Sequence, residues 1–222
     1  MRPLARDPYV LEFDVSAAGR RTSSFSVAQG TVRLTLEDDS EETIGVPNKV
    51  ARLLMTKDTT VERRSDALAL IETSCEEAAT ARVTELQASR DHSSRDLIER
   101  LVRDGYGTDG ARRVVEAPAG TKVVSDRRFA EAFVHQKLQA GWGSGRIERE
   151  LKRHGIDARD VLVGWPEDYT DADDEYERAL EAASRKHVRE PNAYAKLVRF
   201  LCGRGFSQNV SMRAAKEALA EL

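Results

Sequence analysis

Residues 125–156 read SDRRFAEAFVHQKLQAGWGSGRIERELKRHGI, two helix-like runs joined by the glycine-rich turn GWGSG. The second run closes on Ile147, Leu151, Gly155 and Ile156. The same spacing occurs fifty residues earlier as Leu97, Leu101, Gly105 and Tyr106, and fifty later as Leu197, Leu201, Gly205 and Phe206. A fixed period of that length marks a repeat architecture.

Helix-end chemistry explains why these residue types travel together. In a Schellman ending, glycine at C′ takes the left-handed conformation and the apolar residue after it folds back on C3. Counting back from each glycine pairs Leu101 with Tyr106, Leu151 with Ile156, and Leu201 with Phe206.

Outward from this core the chain divides into four segments: a strand-containing region with a short helix over 1–64, then repeats over 65–120, 121–165 and 166–222. In the first segment Leu11, Phe13 and Val15 alternate, as do Val32, Leu34 and Leu36, with Phe25 and Val27 among serines between them. This predicts a small antiparallel sheet of two or three strands, which needs cover on one face. Pro47 suits a helix N1 position before Val50, Leu53 and Leu54. A longer helix starts near Ser65, with Leu68, Ile71, Cys75, Ala79, Val83 and Leu86 close to one stripe. Ser93 and Asp96 make a capping-box-like start to the next helix. Each unit then adds a weaker third helix, around Val114 and Val115, around Val161 and Leu162, and over the terminal run from Val210 to Leu219. The expected fold is mainly α: tandem three-helix repeats in an elongated, curved array behind a small β-containing head.

Composition agrees with helices sharing small cores, since 33% of residues are charged and only 6% aromatic. Cys75 and Cys202 cannot staple a chain of 222 residues. There is no long apolar span and no signal-like run in MRPLARDPYV, so the expected location is the cytoplasm, with no membrane association. The net charge of −3 is segmented: −4 over residues 1–80, +3 over 81–163, −7 over 164–183 and +5 over 184–222. The acidic run WPEDYTDADDEYE reads as a solvated linker or helix start opening the third repeat.

Motifs for chemistry are weak. GYGTDG at 105–110 fits a dinucleotide pattern, but a helix precedes it where a strand is required. GWGSG lacks the Lys-Ser/Thr ending of a P-loop. The four histidines show no metal spacing, and no nucleophile–base or HExxH arrangement occurs. The expectation is a non-enzyme with no cofactor, no metal and no small-molecule substrate. What stands out is a basic row, Arg127, Arg128, Lys137, Arg146, Arg149, Lys152 and Arg153, with Trp142 in the turn. Arg149 and Arg153 are spaced i,i+4, as are Glu148 and Lys152, so guanidinium groups can share one stripe beside a salt-bridged one. Trp142 is either a core plug between the helices, the preferred reading, or an exposed interface anchor.

These motifs resemble the bacterial RecX family. SDRRFAEAFV followed by GWGSGRIERELKRHGI is similar to its central repeat, a DxRFA helix before a G-x-x-RI-x-x-EL-x-x-x-GI helix. SRDLIERLVRDGY resembles its first repeat and AKLVRFLCGRGF its third, so the likeness covers roughly residues 66–222. The chain departs from the pattern in ARVTELQASRDHSSRDL and in the lengthened connection EAPAGTKVV. The resemblance implies a regulator that binds RecA or the RecA-DNA filament and mostly inhibits its ATPase, strand-exchange and coprotease activities in recombination, DNA repair and the SOS response. It implies the filament groove as the place of binding; on charge and position alone, the basic row of Arg127, Arg128, Lys137, Arg146, Arg149, Lys152 and Arg153 with Trp142 is expected to make the contacts, with weak direct DNA contact beside it. The alternative reading is a DNA-binding regulator of helix-turn-helix type, with the helix from Gly145 to His154 entering a groove.

Overall fold

The structure is a computed structural model that describes residues 7–19, 29–57, 60–117, 124–188 and 192–220. It divides into two compact units, Met1–Val124 and Ser125–Leu222. The described residues are mainly helical, with one small sheet.

In the first unit, β1 (Val10–Ser16), β2 (Gln29–Leu36) and β3 (Glu41–Pro47) form an antiparallel sheet in sequence order. Val32, Leu34 and Leu36 of β2 are buried, as their alternation predicts. Leu11 departs from its expected face and is 63% exposed. The cause is a register irregularity between Val10 and Glu12, which puts Val10 rather than Leu11 against the core beside Phe13 and Val15. Phe25 and Val27 lie outside the described residues. The third strand is Glu41–Pro47, a stretch whose alternation Gly45 interrupts. Pro47 ends that strand as the N-cap of α1 (Asn48–Met55) instead of sitting at N1.

Helix α1 covers the sheet with Val50, Ala51 and Leu54. The approach is close, because a Cβ on Gly30 of β2 would lie 2.3 Å from the Ala51 Cβ. Helix α2 (Arg64–Ser89) follows, with Asp7 accepting from the Ser65 backbone N–H at 3.1 Å and from its hydroxyl at 2.6 Å. Helices α3 (Ser94–Arg103) and α4 (Thr108–Glu116) complete the first repeat. Ser93 caps α3 by accepting from the Asp96 N–H at 3.1 Å. Val32, Leu34, Val50, Ile71, Val83, Leu97, Leu101 and Val115 belong to one apolar cluster, so the sheet has no core apart from the first repeat.

The second unit carries two repeats. The first of them consists of α5 (Asp126–Gln139), α6 (Ser144–Arg153) and α7 (Ala158–Val161) around Ala130, Val134, Ile147, Leu151, Ile156 and Trp165. Its third helix is a single turn. The chain then passes through Gly164 at φ +74° and Pro166, which does not extend a helix. The next repeat consists of α8 (Ala172–Ser184), α9 (Ala193–Gly203) and α10 (Gln208–Ala220) around Ala179, Leu197, Leu201, Phe206 and Ala214. The acidic run opens α8: Asp171 is its N-cap and accepts from the Asp174 N–H at 2.7 Å, with Asp173, Asp174 and Glu175 in the first turn.

Three helix ends share one geometry. Gly105, Gly155 and Gly205 have φ of +100°, +79° and +95°. The N–H groups of Tyr106, Ile156 and Phe206 donate to the carbonyls of Leu101, Leu151 and Leu201 at 3.1, 3.0 and 3.2 Å. All six of these apolar side chains are buried.

Candidate functional site

The basic row lies on α5, the GWGSG turn and α6, and the start of α6 is built with help from the following repeat. The end of α5 is a fourth cap of the same type: Gly141 at φ +72°, with the Trp142 N–H donating to the Lys137 carbonyl at 3.0 Å. Gly143 N–H donates to the Arg204 carbonyl at 3.0 Å, and Gly145 N–H to the Gly205 carbonyl at 3.1 Å. Glu175 of α8 accepts from the Ser144 backbone at 3.1 Å and from its hydroxyl at 2.8 Å. The first N–H groups of α6, orphaned by helix geometry, thus find acceptors on the neighbouring repeat. A carboxylate and the carbonyl end of α9 meet the positive end of the α6 dipole.

This approach sets the glycines of the turn. A Cβ on Gly143 would lie 2.4 Å from the Gly205 carbonyl carbon, and one on Gly205 would lie 2.2 Å from the Arg146 nitrogen. Glu175 was not legible as part of the site, because it lies 31 residues from Ser144 and its local setting reads only as a helix start.

The candidate contacts fall into three groups. Arg146 and Lys137 are organised by Trp142: the Arg146 guanidinium sits 3.7 Å from the indole centroid and the Lys137 ammonium 5.1 Å from it. Trp142 is half-buried against the core of its repeat, so it plugs the helix pair while holding cations on its ring. Arg127 and Arg153 are exposed but locally paired, to Glu131 at 2.9 Å and to Glu150 at 2.7 Å. Arg128 is exposed beside Arg127. Arg149 and Lys152 project from α6 with no ion pair among the described residues.

The pair expected between Glu148 and Lys152 is replaced. Glu148 accepts from the Trp165 indole N–H at 2.9 Å and pairs with Arg159 at 3.2 Å. A buried indole needs an acceptor, and Glu148 supplies it. Lys152 is left exposed on α6.

A second basic feature escaped the sequence reading. A cleft of about 420 Å³ is lined by Arg178, Arg185, Lys186 and Arg204. The Arg178 Nη2 donates to Thr170 at 2.6 Å, its Nε is buried with no hydrogen-bond partner among the described residues, and burial holds its pKa below the ordinary guanidinium value. Lys186 and Arg204 lie 5.3 and 4.9 Å from the Phe200 ring centroid. The ends of α5, α8 and α9 border this cleft, and Glu181, which also lines it, pairs with Arg185 at 2.6 Å.

Among the described residues no cluster of His, Cys, Asp and Glu could hold a metal ion, and no helix is long and apolar enough to cross a membrane.

Comparison with known proteins places these features in a family setting. Residues 125–161 match the family model described as RecX, second three-helix domain. The chain is 36% identical over 127 residues to a regulatory protein RecX of Chromohalobacter salexigens, covering 54% of this chain and 80% of that protein. It is 32% identical over 148 residues to a regulatory protein RecX of Herminiimonas arsenicoxydans, covering 62% of this chain and 92% of that one. A crystal structure of a regulatory protein RecX superposes with a TM-score of 0.57 at 16% identity, covering 91% of this chain and 96% of that one. RecX from Lactobacillus salivarius superposes with a TM-score of 0.54 at 18% identity, covering 66% and 97%. The relatives are named regulatory proteins, which is not an enzyme class.

Proposed function

The chain belongs to the RecX family, and from that premise we propose that it binds RecA or the RecA-DNA filament and restrains its ATPase, strand-exchange and coprotease activities. The observation that carries this reading is the basic α5–α6 face, whose helix start is fastened to the next repeat while Arg149 and Lys152 remain without ion pairs among the described residues. Arg127, Arg128, Arg153, Lys137, Arg146 and Trp142 flank these two as further contacts. Trp142 serves by holding Arg146 and Lys137 in place, which lowers the ordering cost when they meet an anionic surface.

The same geometry argues against α6 as a recognition helix. Helix-turn-helix proteins present the N-terminal residues of that helix to base edges. Here the first N–H groups of α6 bond to Arg204, Gly205 and Glu175. The negative net charge of the chain also disfavours strong gripping of free DNA. Direct DNA contact in this reading is weak and accompanies contact with RecA.

The test is a titration of the purified protein into RecA hydrolysing ATP on single-stranded DNA. Hydrolysis falls as the protein approaches equal ratio with RecA, and Arg149→Glu with Lys152→Glu raises the half-inhibitory concentration on the order of tenfold. Hydrolysis unchanged across the titration removes the inhibitory role, whereas full potency of the double variant removes this face from the site.

A further inference from the structure

The cleft lined by Arg178, Arg185, Lys186 and Arg204 lies outside the proposed α6 contact, and its charge is not balanced from within the fold. Several arginines elsewhere meet a carboxylate: Arg64 with Glu42, Arg82 with Asp104, and Arg113 with Glu72, at 2.9, 2.9 and 2.7 Å. In the cleft Glu181 is the carboxylate among the described lining residues, and Arg185 takes it at 2.6 Å. Arg178, Lys186 and Arg204 have no ion pair among the described residues. The carboxylates that act on Arg178 from a distance are engaged at the start of α8, where Asp171 accepts from the Asp174 N–H and Glu175 from Ser144. Like charges gathered in this way repel, and an anion between them removes the repulsion.

These cations are positioned by neutral groups. Arg178 donates to the Thr170 hydroxyl at 2.6 Å. Lys186 and Arg204 lie 5.3 and 4.9 Å from the centroid of the Phe200 ring. A ring face orients a cation without neutralising it. The backbone of Arg204 is fixed as well: its N–H donates to the Phe200 carbonyl at 3.1 Å, and its carbonyl accepts from the Gly143 N–H at 3.0 Å. Its Nη1 stands 3.8 Å from where a Cβ on Gly141 would be, so the guanidinium sits beside the turn that borders the cleft.

Cations held in place before binding lose little freedom when an anion arrives. A guanidinium fork matches phosphate oxygens in pairs, and an ammonium adds a point charge. The Lys186 and Arg204 charges share one ring, close enough for the oxygens of linked phosphates to bridge them. The volume, about 420 Å³, is that of a small-molecule site.

We propose that this cleft binds a compact oligophosphate, a diphosphate group either free or carried by a nucleotide, with Lys186 and Arg204 as its principal donors and Arg178 and Arg185 as flanking charge. The test contains no RecA, so its outcome leaves the filament reading untouched.

Sodium pyrophosphate is titrated into the full chain at fixed ionic strength without divalent metal, read by calorimetry and by the amide signals of Gly141 and Ala182. A one-to-one isotherm with Kd below about 1 mM is expected, both amides shifting along the same curve. Lys186→Gln with Arg204→Gln weakens binding at least about tenfold, and Lys186→Gln alone, at an exposed position that leaves the core untouched, about threefold. Arg52→Gln, which removes an exposed cation of α1, stays within about twofold of wild type. ADP bound as tightly as pyrophosphate makes a nucleotide the source, and weaker ADP makes it a free oligophosphate; both support the site. Failure to saturate, undiminished binding by the double variant, or an equal loss in Arg52→Gln overturns the proposal. So does oligothymidylate that binds more tightly than pyrophosphate and shifts the same amides, which makes the cleft a nucleic-acid surface.

Discussion

At Gly205 the backbone holds φ at +95° and brings its carbonyl 3.1 Å from the Gly145 N–H at the start of α6. An added Cβ meets both a left-handed penalty of roughly 1–2 kcal/mol and the backbone of Arg146. Gly205→Ala is therefore expected to destabilise by more than about 2 kcal/mol, whereas Gly203→Ala, whose Cβ meets nothing within 4 Å, is expected to be neutral or stabilising by up to about 1 kcal/mol. Equal midpoints for the two variants in urea would refute the close approach. Asp7 offers a pH-dependent counterpart. Hydrogen bonds from Ser65 hold its carboxyl below the ordinary aspartate value, against a smaller opposing effect of desolvation. A depressed folded pKa means that its contribution is present above the unfolded value and lost as pH falls through the folded one. An NMR titration should place its midpoint below about 3.9, and a midpoint at or above that value contradicts its hydrogen bonds to Ser65. Residues of the first kind were legible in the sequence, because a helix cap is written within six consecutive positions. Glu175 and Glu148 were not. Their partners Ser144 and Trp165 stand 31 and 17 residues away, and only the folded chain brings them together.

At the scale of elements, long helices and their buried faces follow from apolar spacing, and α2 begins within one residue of the expected Ser65. The sheet was less legible. A register irregularity turned Leu11 out of its expected face, and β3 was hidden because EETIGVP alternates weakly and ends in a proline that suits a helix start equally well. The third helix of the central repeat, expected around Val161 and Leu162, shrank to one turn ending at Val161, and Leu162 and Trp165 are delivered to the core by the turn that follows. The element at the centre of the proposed function is α6, whose start is bonded to Glu175. Glu175→Ala should lower stability by about 1 kcal/mol, the usual cost of losing a cap. Ser144→Ala in the same background should then add less than it does alone, because the two act as one interaction. Additive effects in that double-mutant cycle would show that the cap is not energetically real.

For the whole molecule, charge segmentation sets the background of the proposed reading: basic blocks are separated by an acidic one within a chain of net charge −3. In the proposed function this balance lets local faces meet an anionic filament while free DNA is held weakly. The family resemblance was legible from three copies of one motif, yet the proposed contact face is delimited only when ion pairs are assigned, leaving Arg149 and Lys152 as the exposed cations of α6 without ion pairs among the described residues. The most direct test follows fluorescently labelled protein binding to preformed RecA filaments on single-stranded DNA, and to the same DNA without RecA, over a range of salt. The account predicts saturable binding to the filament that is at least about tenfold tighter than to bare DNA and is weakened by Arg149→Glu with Lys152→Glu. Equal or tighter binding to bare DNA, falling steeply with salt and indifferent to RecA, would contradict it.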